Sequence, residues 1–362
     1  MKRALAILAL LCCIAPVAAP AASAQTAAGD WRRVGLPFLW PNAGLTDISA
    51  AGPSDVWITG VQGAICIPQI ASWGCSWSSD GNPVARRWNG SAWKEYPLPG
   101  YSGNGQLSMV TAAAPDDVWV ASDFPYQPRY LAHFDGSAFT KIESPVPDAY
   151  VKVFAGQSGT WLTTSVLNGD TGLYRRVGGT WQATPAGDIS YLMDVRARTA
   201  TDAWAVGALR GSGFDRAAVA HWDGQAWQPV AYPRNDPRLT GVLPVTATDV
   251  WATVSGAGYV VRWNGSAWSQ VDLPAGVTNV ELVLDGSGTV WAGGQETVIV
   301  DGYPRRRPIL MSYTGGAWQR VTLATPWGAS EMAISGLTSV PGTGAIWLAA
   351  NSTIGPVVLT NG

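Results

Sequence analysis

Charge is scarce in this chain of 362 residues: 23 Lys and Arg against 25 Asp and Glu make up 13% of it and leave a formal net charge of -2. Phosphate neutralisation needs clustered cations, so the composition excludes a nucleic-acid partner. Cysteine is scarce too, at four, which rules out a small disulfide-framework protein. Only two histidines, His133 and His221, are present. No apolar run reaches the roughly 20 residues a membrane helix needs, so no transmembrane segment is expected. The aromatic-poor, highly charged composition of disordered chains is missing as well. What is abundant is 20 Trp, 42 Gly and 25 Pro. The last two suit many tight turns and few long helices.

The N-terminus reads as a secretory leader. Lys2 and Arg3 form a positive start, Ala4 to Ile14 is apolar, and Ala22-Ser23-Ala24 suits cleavage before Gln25. Residues 1–24 are thus expected to be a signal peptide, with 25–362 a secreted, extracellular mature chain acting as a monomer. The residues ahead of Cys12 and Cys13 are Leu11 and Cys12, unlike the small residue of a lipoprotein site. Two cysteines remain after cleavage, Cys66 and Cys75, and an oxidising compartment would join them in one disulfide.

The surplus of Trp has a period. Asp55-Val56-Trp57, Asp117-Val118-Trp119, Gly159-Thr160-Trp161, Asp202-Ala203-Trp204, Asp249-Val250-Trp251, Thr289-Val290-Trp291 and Ala345-Ile346-Trp347 are seven copies of one element. A second element follows the first six, as in Asn89-Gly90-Ser91-Ala92-Trp93, with Phe139, Trp181, Trp227, Trp268 and Trp318 in the last place of the later copies. Each leads into a short alternating run, the mark of a strand. The seventh copy stops at Val357-Val358-Leu359-Thr360-Asn361-Gly362, one strand short. Trp31-Arg32-Arg33-Val34-Gly35-Leu36-Pro37 matches Trp268 to Pro274 and supplies that strand from the other end of the chain. Seven units over the mature length are about 48 residues each, the size of a propeller blade. The expectation is an all-β, seven-bladed β-propeller in one domain, closed by its N-terminal strand so that no edge is left unpaired.

These elements resemble the repeats of secreted bacterial seven-bladed β-propellers. Asp285-Gly286-Ser287-Gly288-Thr289-Val290-Trp291 is also similar to the D-x-x-G-x-x-W blade motif of sensor-type propellers. The resemblance implies the fold of the whole mature chain and is unspecific for activity.

In such a blade the 1→2 and 3→4 turns share one face, here the near-uniform Asp-x-Trp and Asn-Gly elements. The irregular connections share the other face. Their longest stretches are Val61 to Pro83, Ala208 to Arg216 and Gly293 to Pro308, and function tends to sit on such connections over a rigid frame. Sixteen Trp occupy repeat slots and are expected to pack between blades. Four do not: Trp40, Trp73, Trp77 and Trp327. Ring order places all four in the sector of blades 7 and 1, with Arg305, Arg306 and Arg307 of blade 6 to one side and Tyr101 to the other. Trp faces stack on sugar rings, and Arg forks match carboxylate, sulfate or phosphate. The alternative is that the Trp73 and Trp77 segment folds over the ring and buries its own aromatics.

Catalytic signatures are sparse. His133 and His221 fill one repeat slot that holds Arg87 and Arg262 in other copies, which marks them as structural. Asp47, Asp194 and Glu281 each stand ten residues before the slot Trp, on the channel-lining strand. They are candidates for a general acid or base, or for Ca²⁺ in the channel, against a reading as hydrated channel residues. The sequence therefore favours a binding propeller for an extracellular glycan or cell-envelope polymer. A propeller lyase or hydrolase and a protein-interaction scaffold are the alternatives.

Overall fold

The computed structural model describes residues 31–68, 75–122, 129–166, 171–210, 215–323 and 331–362, with the backbone alone at 66–68 and 75–79. Seven four-stranded antiparallel sheets account for nearly all of it. Blade 1 consists of Gly44–Gly52, Asp55–Gln62, Asn82–Trp88 and Trp93–Glu95. Blades 2 to 6 repeat that order over 109–141, 150–183, 191–230, 239–272 and 277–321. Blade 7 takes Met332–Ser339, Ile346–Ser352 and Gly355–Thr360 from the C-terminal end, and Arg32–Val34 as its outer strand. That strand pairs Arg32 with Thr360 and Val34 with Val358, and Val34 is buried. First strands contact one another in succession, and that of blade 7 meets that of blade 1, so the ring closes.

The repeated Trp explain why flat sheets cohere as a ring. In five blades the second-strand Trp inserts its ring between two aromatics of the next blade, and in blades 2 and 6 it meets one, Trp119 on Trp181 and Trp291 on Trp31. Trp161 packs edge-on against Trp222 and Trp227, at 5.3 and 5.1 Å between centroids. Trp204 meets Trp263 and Trp268, Trp251 meets Tyr313 and Trp318, and Trp57 meets Phe134 and Phe139. Trp347 of blade 7 completes the circuit on Trp88 and Trp93 of blade 1. Such pairs contribute roughly 0.5–1.5 kcal/mol each beyond the area they bury. All 16 slot Trp are buried or half-buried.

The aspartate of the Asp-x-Trp turn ties strands together from below. Asp55 accepts the Trp57 indole N–H at 2.8 Å and the Arg87 guanidinium at 3.0 and 2.6 Å. In blades 2 and 4 a histidine replaces that arginine: His133 bonds Asp117 at 2.9 Å and His221 bonds Asp202 at 3.0 Å. Both histidines are thus structural, as their repeat slot predicted. The 3→4 turns of blades 1, 2, 4 and 5 share one bonding scheme, while those of blades 3 and 6 are Gly-Gly turns. Asn89 Oδ1 accepts the amides of Ser91 and Ala92 at 3.0 and 2.8 Å, and Gly90 takes φ 95°, a conformation L side chains avoid.

The irregular face differs from the expectation in one respect: much of it is strand. The Val61 to Pro83 stretch contains a small hairpin of Ile65–Pro68 and Cys75–Ser79, pairing Cys66 with Ser78 and Pro68 with Cys75. Gly293 to Pro308 is not a loop. Strands Val290–Val300 and Tyr303–Thr314 run on as one hairpin, paired out to Val300 and Tyr303 around Asp301-Gly302, both at positive φ. Asp-Gly is the turn chemistry this geometry demands, and the Val-Ile-Val run at 298–300 supplies β-branched residues to one strand.

Candidate functional site

The sequence singled out two regions, a set of irregular-face aromatics and arginines and a ring of channel carboxylates. On the irregular face, the connection into blade 1 carries Trp40, 61% exposed, and Phe38, 73% exposed. Their rings meet edge to face at 5.6 Å and 73°. The connection is short, yet it is firmly held from beneath. Arg86, buried in the third strand of blade 1, donates to the carbonyls of Pro37 and Phe38 at 3.3 and 3.0 Å. Its charge is balanced by Glu95 at 2.7 Å. Glu95 also accepts from Gln62, whose Oε1 accepts the Trp40 amide at 3.4 Å. On the far side Asn42 donates to the Ala64 carbonyl at 2.7 Å, and Gly63 N–H to that of Pro41. Two large exposed aromatics therefore stand on a braced backbone, which removes much of the ordering cost of binding.

The other off-repeat Trp are placed less fully. Trp73 and Trp327 lie outside the described residues, as does the Trp77 side chain, although the backbone puts Trp77 opposite Ile67 in the blade 1 hairpin. The side chains of Cys66 and Cys75 lie outside them too. Tyr101 is half-buried, with its ring 5.1 Å from that of Tyr130 in the core between blades 1 and 2. Burial pushes its hydroxyl pKa up.

Arg305, Arg306 and Arg307 stand exposed on the blade 6 hairpin. Arg305 reaches Glu331, at the start of blade 7, at 3.8 Å. Glu296, cross-strand from Arg307, is paired with Arg320 at 2.7 Å. Arg306, Arg307 and Arg320 face Glu296 and Glu331 around a cavity of about 480 Å³ beside blade 7. Cations outnumber anions there, so the groove favours anionic groups. Trp40 and this groove lie on either side of blade 7.

The channel carboxylates share one arrangement. Each lies beside a shift in first-strand register that re-aims the side chain, between Leu45 and Asp47, Leu192 and Asp194, and Thr278 and Glu281. Opposite two of these shifts the second strand carries glycine. A Cβ on Gly60 would come within 2.0 Å of the Gly44 carbonyl oxygen, and one on Gly207 within 1.8 Å of that of Tyr191. The acids then reach across to the next blade. Asp47 accepts the Val110 amide at 2.9 Å, Asp194 that of Val242 at 3.0 Å, and Glu281 that of Leu337 at 3.0 Å. Their first task is to link adjacent first strands.

Arg196 unites them electrically. Its Nε lies 3.2 and 3.4 Å from the Asp194 carboxylate, and it interacts with Asp47 and Glu281 as well. Burial raises the Asp47 pKa to about 7, with its two amide donors and Arg196 acting the other way. Burial, with the Asp47 charge in second place, raises Glu281 to about 8. Among the described residues no group of three or more His, Cys, Asp and Glu is arranged to hold a metal ion.

No protein-family model matches this chain, and no curated protein sequence does. Solved structures do match in fold. A streptogramin B lyase aligns over 91% of this chain and 96% of its own, with TM-score 0.62 and 14% identity. YCF48 from Cyanidioschyzon merolae aligns over 91% and 98%, with TM-score 0.55 and 17% identity. The extracellular domain of a one-component system from B. thetaiotaomicron aligns over 91% of this chain and 40% of that one, with TM-score 0.57 and 12% identity. At these identities the likeness shows the seven-bladed fold alone. No helix among the described residues is long and apolar enough to cross a membrane.

Proposed function

We propose that this chain is an exported binding propeller that recognises a glycan or cell-envelope polymer on its irregular face. The observation that carries the reading is the braced pair of Phe38 and Trp40. Every Trp in a repeat slot is at least half-buried, whereas Trp40 is held out to solvent by Arg86, Gln62 and Glu95. An exposed indole on a fixed backbone offers a flat apolar face for a sugar ring at low entropic cost. The arginine groove beside blade 7 adds a preference for acidic polymers, since guanidinium forks pair with carboxylate, sulfate or phosphate.

A glycan array with neutral, uronate-bearing and sulfated members tests the reading. Binding to at least one member is expected, with at least a tenfold loss in Trp40→Ala. The double substitution Arg306→Ala and Arg307→Ala should weaken the acidic members selectively. Signal unchanged in Trp40→Ala rejects this platform. A protein recovered from culture medium, with an empty array, points instead to a scaffold.

A further inference from the structure

The channel contains a second feature that the irregular-face reading does not use. Two cavities meet inside the ring. One, of about 490 Å³, is lined by the beginnings of first strands and opens on the irregular face through Ser108, Met193, Thr240 and Asn279. The other lies towards the Asp-x-Trp turns. Met109, Phe154, Arg196, Glu281 and Leu282 line both, so they form the waist of the channel. A cavity of this size suits a small molecule.

Arg196 sits at this waist with its side chain 51% exposed. Asp194 engages only its Nε, and Asp194 is itself occupied by the amides of Val195 and Val242. Among the described residues no hydrogen bond to the terminal nitrogens of the guanidinium is found, which leaves them to a ligand in the channel. The surrounding charge also favours an anion. Lys152 and Arg196 bring two basic side chains to the lining, and the Asp194 carboxylate is already paired with Arg196. Burial favours the protonated forms of Glu281, pushed up to about 8, and of Asp47, raised to about 7. A protonated Glu281 offers an O–H donor where an ionised one would repel. Apolar surface from Met109, Phe154 and Met193 completes the lining.

We propose that the irregular-face mouth of the channel is a binding site for a small carboxylate with an apolar body, its carboxylate forked on Arg196 and its body packed on Met109, Phe154 and Met193. The site is separate from Trp40, and either proposal can fail alone.

Calorimetric titration with 4-phenylbutyrate, against its uncharged amide as control, tests it. The native protein should bind the acid at least tenfold more tightly than the amide, and Arg196→Met should abolish that difference. Removing Arg196 leaves Asp194 unpaired and could loosen the ring, so Met193→Trp serves as an independent variant. It fills the mouth while leaving the Arg196 pair in place, and should remove acid binding with thermal stability retained. The proposal is overturned if the native protein binds neither compound, if acid and amide bind alike, or if the acid binds a folded Met193→Trp protein at native strength.

Discussion

Trp40 and Trp57 differ in what holds them, and their replacement separates site from scaffold. Trp57 is fully buried among Tyr96, Phe134 and Phe139. Trp57→Ala is expected to cost about 3–5 kcal/mol of unfolding free energy, as for large aromatics in cores. Trp40→Ala should cost less than about 0.5 kcal/mol, as surface changes do. Denaturant unfolding of both variants checks the contrast, and equal losses would contradict it. Asp202 is a third kind of residue. It accepts from Trp204 at 3.2 Å, His221 at 3.0 Å and Arg198 at 2.8 Å. Asp202→Ala leaves those donors unmet and should cost about 1–3 kcal/mol by the same measurement. The slot Trp and the paired histidines were legible because each recurs in several copies. Arg86 has no repeat to announce it, yet the sequence carries a signal. Cross-strand register puts Arg87, His133, His221 and Arg262 in one slot, so the slot before it holds Arg86 where other copies have Ala132, Ala220 and Val261. A lone charge in an apolar slot marks a residue with a local partner, here Glu95 and the carbonyls beneath Trp40.

Elements separate in the same way. The seventh blade depends on three residues, Arg32–Val34, contributed from the other end of the chain. Removing 31–36 exposes the Gly355–Thr360 edge and the Trp291 ring that Trp31 covers at 6.5 Å. The shortened chain should unfold at least 10 °C lower and associate through its open edge. A melting scan with light scattering would contradict ring closure if neither changed. The complementary strand was readable because Trp31 to Pro37 copies Trp268 to Pro274. The blade 6 hairpin was not, since one long pairing has no second copy to compare with, and Gly293, Gly294 and Gly302 look like loop residues. Register shows the first two inside a strand and only the third in the turn. Ile299 and Tyr303 at its end are 68% and 69% exposed.

At the scale of the molecule, the closed ring holds two carboxylic acids away from bulk water. Asp47 and Glu281 rise to about 7 and about 8, from 3.8 and 4.5 for the free groups. The folded ring thus binds more protons than the unfolded chain from about pH 4 to pH 8, and stability falls as pH rises through that window. Channel water screens part of the effect because both side chains are partly exposed. Melting temperatures should decline from pH 5 to pH 8, and less steeply in Glu281→Gln, where Gln can still accept the Leu337 amide. Equal slopes would contradict this. The inter-blade role of these acids was hidden in the sequence, which gave their common offset from Trp but not the amide of the next blade that each one meets.

One measurement tests most directly the division of the ring into a scaffold face and a ligand face: amide hydrogen exchange with and without a glycan selected on the array. Added protection is expected at residues 38–42 and along 294–308, with none at the 3→4 turns. Protection centred on Asn89–Trp93 and Asn264–Trp268, with 38–42 unchanged, would contradict it.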